Sequence, residues 1–194
     1  MIYFSSDYHF GHYNLMAKYC NRPFKTTQEM DEKIILNHNK IVGQDDEIYI
    51  LGDIAMNTKY GAKCLSRMNG KKYLLKGNHD RVRAELLEQV RWVKDYYELW
   101  IQDQDAPHKK QLIILCHYCF CVWNKKHWQA FHCFGHSHNS LPDDPDSLSI
   151  DVGVDAIAYR FSKDKGNLDP NQYRPISYEE LKKIMNKKLK LMNS

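Results

Sequence analysis

Lys72-Tyr73-Leu74-Leu75-Lys76-Gly77-Asn78-His79-Asp80 reads as a short apolar strand that runs into a glycine and then into three side chains able to bind a metal or move a proton. The same pattern recurs along the chain. Ile2 to Ser5 leads to Asp7-Tyr8-His9, Glu47 to Leu51 to Gly52-Asp53, Leu112 to Leu115 to His117, and Phe131 to Phe134 to Gly135-His136-Ser137-His138. A further strand is expected over Ser149 to Val152, and one more within Trp92 to Ile101. Helical patterns lie between them. Thr26 and Glu29 make a capping box for a helix over Thr26 to Val42, with Met30, Ile34, Ile41 and Val42 near one face. Shorter helices are expected over Asn57 to Met68, Val82 to Val90 and Asn124 to Phe131, and Ser177 with Glu180 opens a last one. Alternation of this kind predicts a layered α/β domain.

In such folds the C-terminal ends of the strands share an edge, where ligands and catalytic groups gather. Asp7, His9, Asp53, Asn78, His117, His136 and His138 would converge there. They offer oxygen and imidazole donors without thiolate, a set that suits manganese, iron or zinc rather than a closed cysteine site. Seven candidates exceed the needs of one tetrahedral ion. Two ions sharing a bridging carboxylate would use them all, and such a pair can activate water and stabilise the attacking and leaving oxygens of a phosphoryl group. In extended segments, positions i and i+2 point to one side, so Asp7 and His9, and His136 and His138, are expected to face one centre as pairs. Gly52, Gly77 and Gly135 allow tight turns just before ligands.

The ordered set D-x-H, G-D, G-N-H-D, a lone histidine after a strand, and G-H-x-H resembles the calcineurin-like metallophosphoesterase superfamily. It runs from Asp7 to His138, and Asp151-Val152-Gly153-Val154-Asp155 looks like the closing strand of its small bacterial and phage members. The resemblance implies a four-layer α/β/β/α sandwich of two mixed sheets flanked by helices. It also implies two divalent ions, manganese first, with iron, zinc or nickel as alternatives. Asp7, His9 and His138 would hold one ion and Asn78, His117 and His136 the other, with Asp53 bridging. His79 would face the phosphate and protonate the leaving oxygen or stabilise charge on the phosphoryl group, and Asp80 would hold His79 in the right tautomer and raise its basicity. Two departures stand out. Cys116 precedes His117 where the family commonly has glycine, and the polar stretch Phe161 to Arg174 looks like an insertion, either part of the substrate rim or ornamental.

The remaining features narrow the function. The 194 residues, 43% hydrophobic and 12% aromatic, suit one globular domain over 1–194. No transmembrane or signal-peptide pattern is present, which points to the cytoplasm. The net charge of +4 has a local source, because the segment from Ser177 onward holds five Lys against two Glu and leaves a net +1 for residues 1–176. Overall charge is thus no argument for nucleic acid as a partner, and a basic last helix is most simply a solvated face. The six cysteines, including Cys116, Cys119 and Cys121, read as reduced thiols without a second ligand pair for zinc. His12 follows the first ligand pair and is a candidate to line the site. Arg22 is a candidate phosphate clamp, or else a structural arginine that pins its loop. Tyr118, Phe120, Trp123 and Trp128 could stack a nucleobase or pack a short helix. His38, His108, His127 and His132 have no such setting. The expected activity is phosphodiester hydrolysis of a phosphorylated small molecule or nucleotide-type substrate. The alternatives are a phosphomonoesterase or protein phosphatase, and a metal-bound interaction scaffold without turnover.

Overall fold

The computed structural model describes residues 1–106 and 109–192, so His108 lies outside the described residues. Two mixed sheets pack face to face. The first has the order β4 (Val93–Lys94), β3 (Lys71–Leu75), β2 (Glu47–Ile50), β1 (Ile2–Ser5), β9 (Ile176–Ser177). Its strands are parallel except β9. The second has the order β5 (Tyr96–Gln102), β6 (Lys110–Cys116), β7 (Phe131–Phe134), β8 (Ser149–Asp151), parallel except β5. The buried faces of both sheets form one apolar core. Phe4, Tyr49 and Leu75 meet Leu99, Ile113, Leu115 and Ile150 there. Period-2 alternation sends their neighbours outward.

Helices α1 (Thr27–Ile41) and α2 (Thr58–Ser66) cover the outer face of the first sheet through Met30, Ile34, Cys64 and Leu65. The start of α1 follows its sequence signal. Thr26 Oγ1 accepts the Glu29 N–H at 3.1 Å, which satisfies one free donor of the first turn, and the Glu29 carboxylate reaches back to accept the Lys25 N–H just before the cap. The outer face of the second sheet is covered mainly by segment 118–130, where Phe120 and Trp123 pack on His132. Helix α5 (Tyr178–Met192) runs from Asp103, after β5, to Ser149, at the start of β8, anchored by Tyr178 and Lys182 at one end and Lys188 at the other. It therefore closes the core at the end opposite the ligand-bearing strand ends. The expected class of two mixed sheets flanked by helices is the one the chain adopts.

Several local expectations are corrected. The segment Trp92 to Ile101 holds two strands rather than one, and the chain crosses from one sheet to the other at Asp95. Asn124 to Phe131 contains one 3-10 turn, Lys126–Trp128, and Val82 to Val90 shortens to α3 (Ala84–Leu87). Asp151 to Asp155 is not one strand: β8 stops at Asp151, whose carboxylate accepts the Gly153 N–H, and α4 (Val154–Phe161) begins. The polar segment 161–174 docks on α1, where Asn37 donates to the carbonyls of Pro170 and Tyr173. The last helix is also not wholly a solvated face. The Lys188 ammonium is buried, donating to Asp143 and to the carbonyls of Asp144, Ser147 and Ser149. The sheet-to-sheet core should dominate stability. Ile113→Ala, at a fully buried inward position, should lower unfolding free energy by about 2–5 kcal/mol in urea titration. A loss below about 0.5 kcal/mol would mean that the inner faces are loosely packed.

Candidate metal centre

Asp7 and His9 follow β1 with left-handed backbones, φ 59° and 50°, and Asp53 follows β2 with φ 55°. His136 (φ 66°) and His138 (φ 47°) follow β7 in the same conformation. The extended i, i+2 geometry expected for the two pairs is therefore not used. Left-handed turns instead fold each ligand back over its strand end, while Tyr8, between Asp7 and His9, is driven fully into the core. Non-glycine residues rarely adopt this conformation, and a cluster of them marks strain held by surrounding structure.

Backbone N–H groups fix the carboxylates. His136 N–H donates to Asp7 Oδ2 at 2.9 Å, and His79 N–H donates to Asp53 Oδ1 at 2.9 Å. Each bond leaves the other oxygen turned toward the imidazoles. Asp53 Oδ2 lies 3.4 Å from His9 Nε2, 3.6 Å from His117 Nε2 and 4.0 Å from His79 Nε2. Asp7 Oδ1 lies 3.9 Å from both His9 Nε2 and His138 Nε2. Two groups of donors result, Asp7 with His9 and His138, and Asp53 with His117 and His136, and each could hold a metal ion. His136 and His138 thus part company, one to each group. Asn78 Oδ1 joins the second group, 3.0 Å from His117 Nε2. Gly77 is required here, because a Cβ at that position would collide with the Asp53 carboxylate.

The groups behind the ligands set their protonation. His117 Nδ1 donates to the Leu51 carbonyl at 2.6 Å, which turns the Nε2 lone pair toward the Asp53 and Asn78 oxygens. Burial pushes the pKa of His117 down, and that of His9 to about 2, so both imidazoles are neutral. Burial raises Asp7 well above the usual carboxylate range. His138 goes the other way: burial works against its cation, but a 2.8 Å bond from Nδ1 to Asp155 Oδ2 helps raise it to about 11. Asp155, although buried, is held well below the usual carboxylate range by Arg22 and His138. A third cluster, Cys20 with His138 and Asp155, shares these atoms.

One sequence expectation changes, that for Asp80, and for Arg22 the structural alternative is the one observed. Arg22 is not a phosphate clamp. Its buried guanidinium makes a two-pronged pair with Asp155 and donates to the Asp7 and Tyr8 carbonyls, so it locks the first ligand loop to α4. Asp80 does not orient the His79 ring. Its carboxylate accepts the N–H groups of Asp53, Ile54 and Gly77, stitching the second and third ligand loops together. The cysteine before His117 fits, since Cys116 is buried at the end of β6. His12 does border the site, its ring 5.7 Å from that of His9. Sequence reading missed Asp155, because the helix that presents it was read as a strand. Tyr118, a candidate to stack a nucleobase or pack a short helix, lies instead beside the donor groups, its ring meeting both His117 and His136 at 5.0 Å.

No family model matches the chain. It is 31% identical over 167 residues to the uncharacterized protein MJ1445 of Methanocaldococcus jannaschii, an alignment that covers 82% of this chain and 84% of that one. The chain belongs to the MJ1445 family. It is also similar to the gene 66 protein of Mycobacterium phage L5, 34% identical over 82 residues, which is 40% of this chain and 39% of the phage protein. The crystal structure of AQ665, a protein of unknown function from Aquifex aeolicus, superposes with a TM-score of 0.64 at 21% identity. That superposition covers 95% of this chain and 98% of AQ665, so the MJ1445-family fold described above is shared along nearly its whole length.

Among the described residues no helix is long and apolar enough to cross a membrane. The protonation pattern would couple any metal uptake to proton release. Below pH about 11 the metal-free His138 is cationic, and ligation through Nε2 requires that proton to leave. Manganese titration at neutral pH should therefore release protons, and affinity should fall as pH falls. Calorimetry in two buffers of different ionisation enthalpy would read this directly, and binding heat independent of the buffer would contradict it.

Proposed function

We propose that the protein is a dinuclear metal-dependent phosphoesterase of the calcineurin-like kind, with phosphodiesters as its favoured substrates. The observation that carries this reading is Asp53 Oδ2, which faces His9 of one donor group and His117 of the other from 3.4 and 3.6 Å. Asp7, His9 and His138 would hold one ion, Asn78, His117 and His136 the second, and Asp53 both. The buried atoms fit such an occupant: Asp7 Oδ1 and both ring nitrogens of His9 have no hydrogen-bond partner among the described residues. Donors of imidazole and carboxylate type favour manganese, with iron, zinc and nickel as competitors. When bound, a pair of divalent ions lowers the pKa of water and stabilises charge on the attacking and leaving oxygens of a phosphoryl group.

The chain's own groups supply the rest. His79 stands over the Asp53 carboxylate with its side chain 38% exposed, and its ring lies 5.5 Å from that of His9. It is held there by its own N–H bond to Asp53, so its imidazole can reach a bound phosphate and give a proton to the departing ester oxygen. Asp80 acts through the backbone, fixing the loops that carry Asp53 and His79. His12 forms the neighbouring wall; burial and the nearby His79 lower its pKa and favour the neutral ring. Asn78 and His136 are exposed beside His79, which leaves the phosphate face open to an ester with two arms.

The manganese-loaded protein should hydrolyse bis-p-nitrophenyl phosphate faster than p-nitrophenyl phosphate. His79→Ala should lower turnover by about 10²–10⁴-fold while metal content is unchanged. Undiminished turnover in that variant would remove the role of His79. A preference for the monoester would make the enzyme a phosphomonoesterase, and bound metal without any hydrolysis would make it a scaffold.

A further inference from the structure

Segment 118–130 sends its aromatic residues to different places. Tyr118 stays beside the metal-ligand histidines, Phe120 and Trp123 pack into the core, and Trp128 is left 66% exposed. A cavity of about 380 Å³ is lined by Trp128 and by Trp100 of β5, which is 49% exposed, and Lys110, Gln111, Leu112, Lys125 and Ala130 complete the walls. The Lys125 ammonium stands 4.6 Å from the Trp100 ring centre and 5.8 Å from that of Trp128. Among the described residues neither Lys110 nor Lys125 has an ion-pair partner. The nearest acid on the same strand face, Glu98, is engaged by Asn124 and Tyr96.

The backbone that presents this cleft is strained. Lys125 and Gln129, at either end of the Lys126–Trp128 turn, both take left-handed conformations, φ 57° and 63°, without being glycine. Relaxed packing would bury a large indole, whereas this turn holds Trp128 out in water beside a lysine. A cationic ligand is disfavoured, since the Lys125 ammonium already stands over both indole rings. The complementary ligand is flat, aromatic and anionic. Exposed indoles can stack any base face, and lysines beside them track phosphates, which is the chemistry of single-strand binding. The cavity falls within the ~300–1,000 Å³ range of small-ligand sites, enough for one nucleotide unit.

We propose that the Trp100–Trp128 cleft binds single-stranded nucleic acid, with one base stacked on the indoles and the flanking phosphates on Lys110 and Lys125. This site lies on the outer face of the second sheet and does not depend on the metal-centre reading. The test is fluorescence anisotropy of the full chain with a labelled phosphorothioate thymidine strand of about ten nucleotides. Trp128→Ala should weaken binding by roughly 5- to 150-fold, the loss of one stacked base. Lys125→Gln should weaken it and reduce the salt slope by about 0.7, the value for one phosphate contact on a single strand. An abasic strand of equal charge should bind the wild type about as weakly as the intact strand binds Trp128→Ala. Equal affinity of wild type and both variants, or of intact and abasic strands, would overturn the proposal, as would no binding to the wild type. Thymidine monophosphate binding as tightly as the strand would overturn its extension beyond a single nucleotide. Trp128 and Lys125 lie outside the buried core, and an unchanged unfolding midpoint would confirm that each variant is folded.

Discussion

The Asp53 carboxylate is the constraint on which the site depends. One oxygen is tied to the His79 N–H, and the other looks toward three imidazoles. To reach that position Asp53 must leave β2 through a left-handed turn, directly after Gly52 with φ 98°. The buried Asp53 oxygen and the buried His9 and His117 nitrogens facing one another are unfavourable without a cation or protons between them. The fold therefore gathers negative and lone-pair density that a positive charge would resolve, which fits a metal ion at this end of the sandwich.

Two buried carboxylates outside the ligand groups keep the strained loops in place. Asp80 joins the turns after β2 and β3 by accepting three backbone N–H groups. Asp155, on α4, joins the second sheet's His138 to Arg22, and Arg22 in turn holds the Asp7 and Tyr8 carbonyls of the first sheet. The two sheets are thus linked at the edge that carries the donor groups by charge-assisted hydrogen bonds as well as by the apolar core behind it. Removing one partner would leave the other charge buried and unpaired, a loss of about 3–5 kcal/mol, so these residues hold the site rather than react in it.

The sheet skeleton was legible because its signal is local: Ile2 to Ser5 and Phe131 to Phe134 are apolar runs punctuated by polar residues, and both strands lie where the runs do. Convergence of the seven ligand candidates was legible too, since strand-end placement follows from layer topology. What sequence could not carry was the direction of backbones and the use of long side chains. Extended geometry was the natural reading for Asp7-x-His9, and only the burial of Tyr8 shows why the chain turns left-handed. Asp80 beside His79 looked like its partner, but adjacency in a tight turn aims the carboxylate at backbone donors. Arg22 and Asp155 are 133 positions apart, and no local pattern announces such a pair. For Trp128 and its aromatic neighbours the sequence leaves base stacking and helix packing both open, and only the strained turn separates Trp128 from the others.

Architecture, site and surface fit one scheme, in which the strand ends gather the donors, α5 closes the opposite end of the core, and segment 118–130, lying over the second sheet's outer face, presents aromatic and basic groups. The central claim is that one carboxylate joins two donor groups into a single centre. Electron paramagnetic resonance of the manganese-loaded protein tests it most directly. Two Mn²⁺ ions bridged by Asp53 should give an exchange-coupled spectrum at full loading, and Asp53→Ala should abolish that coupling. Signals of isolated Mn²⁺ in the fully loaded wild type, or coupling that survives the substitution, would contradict the account.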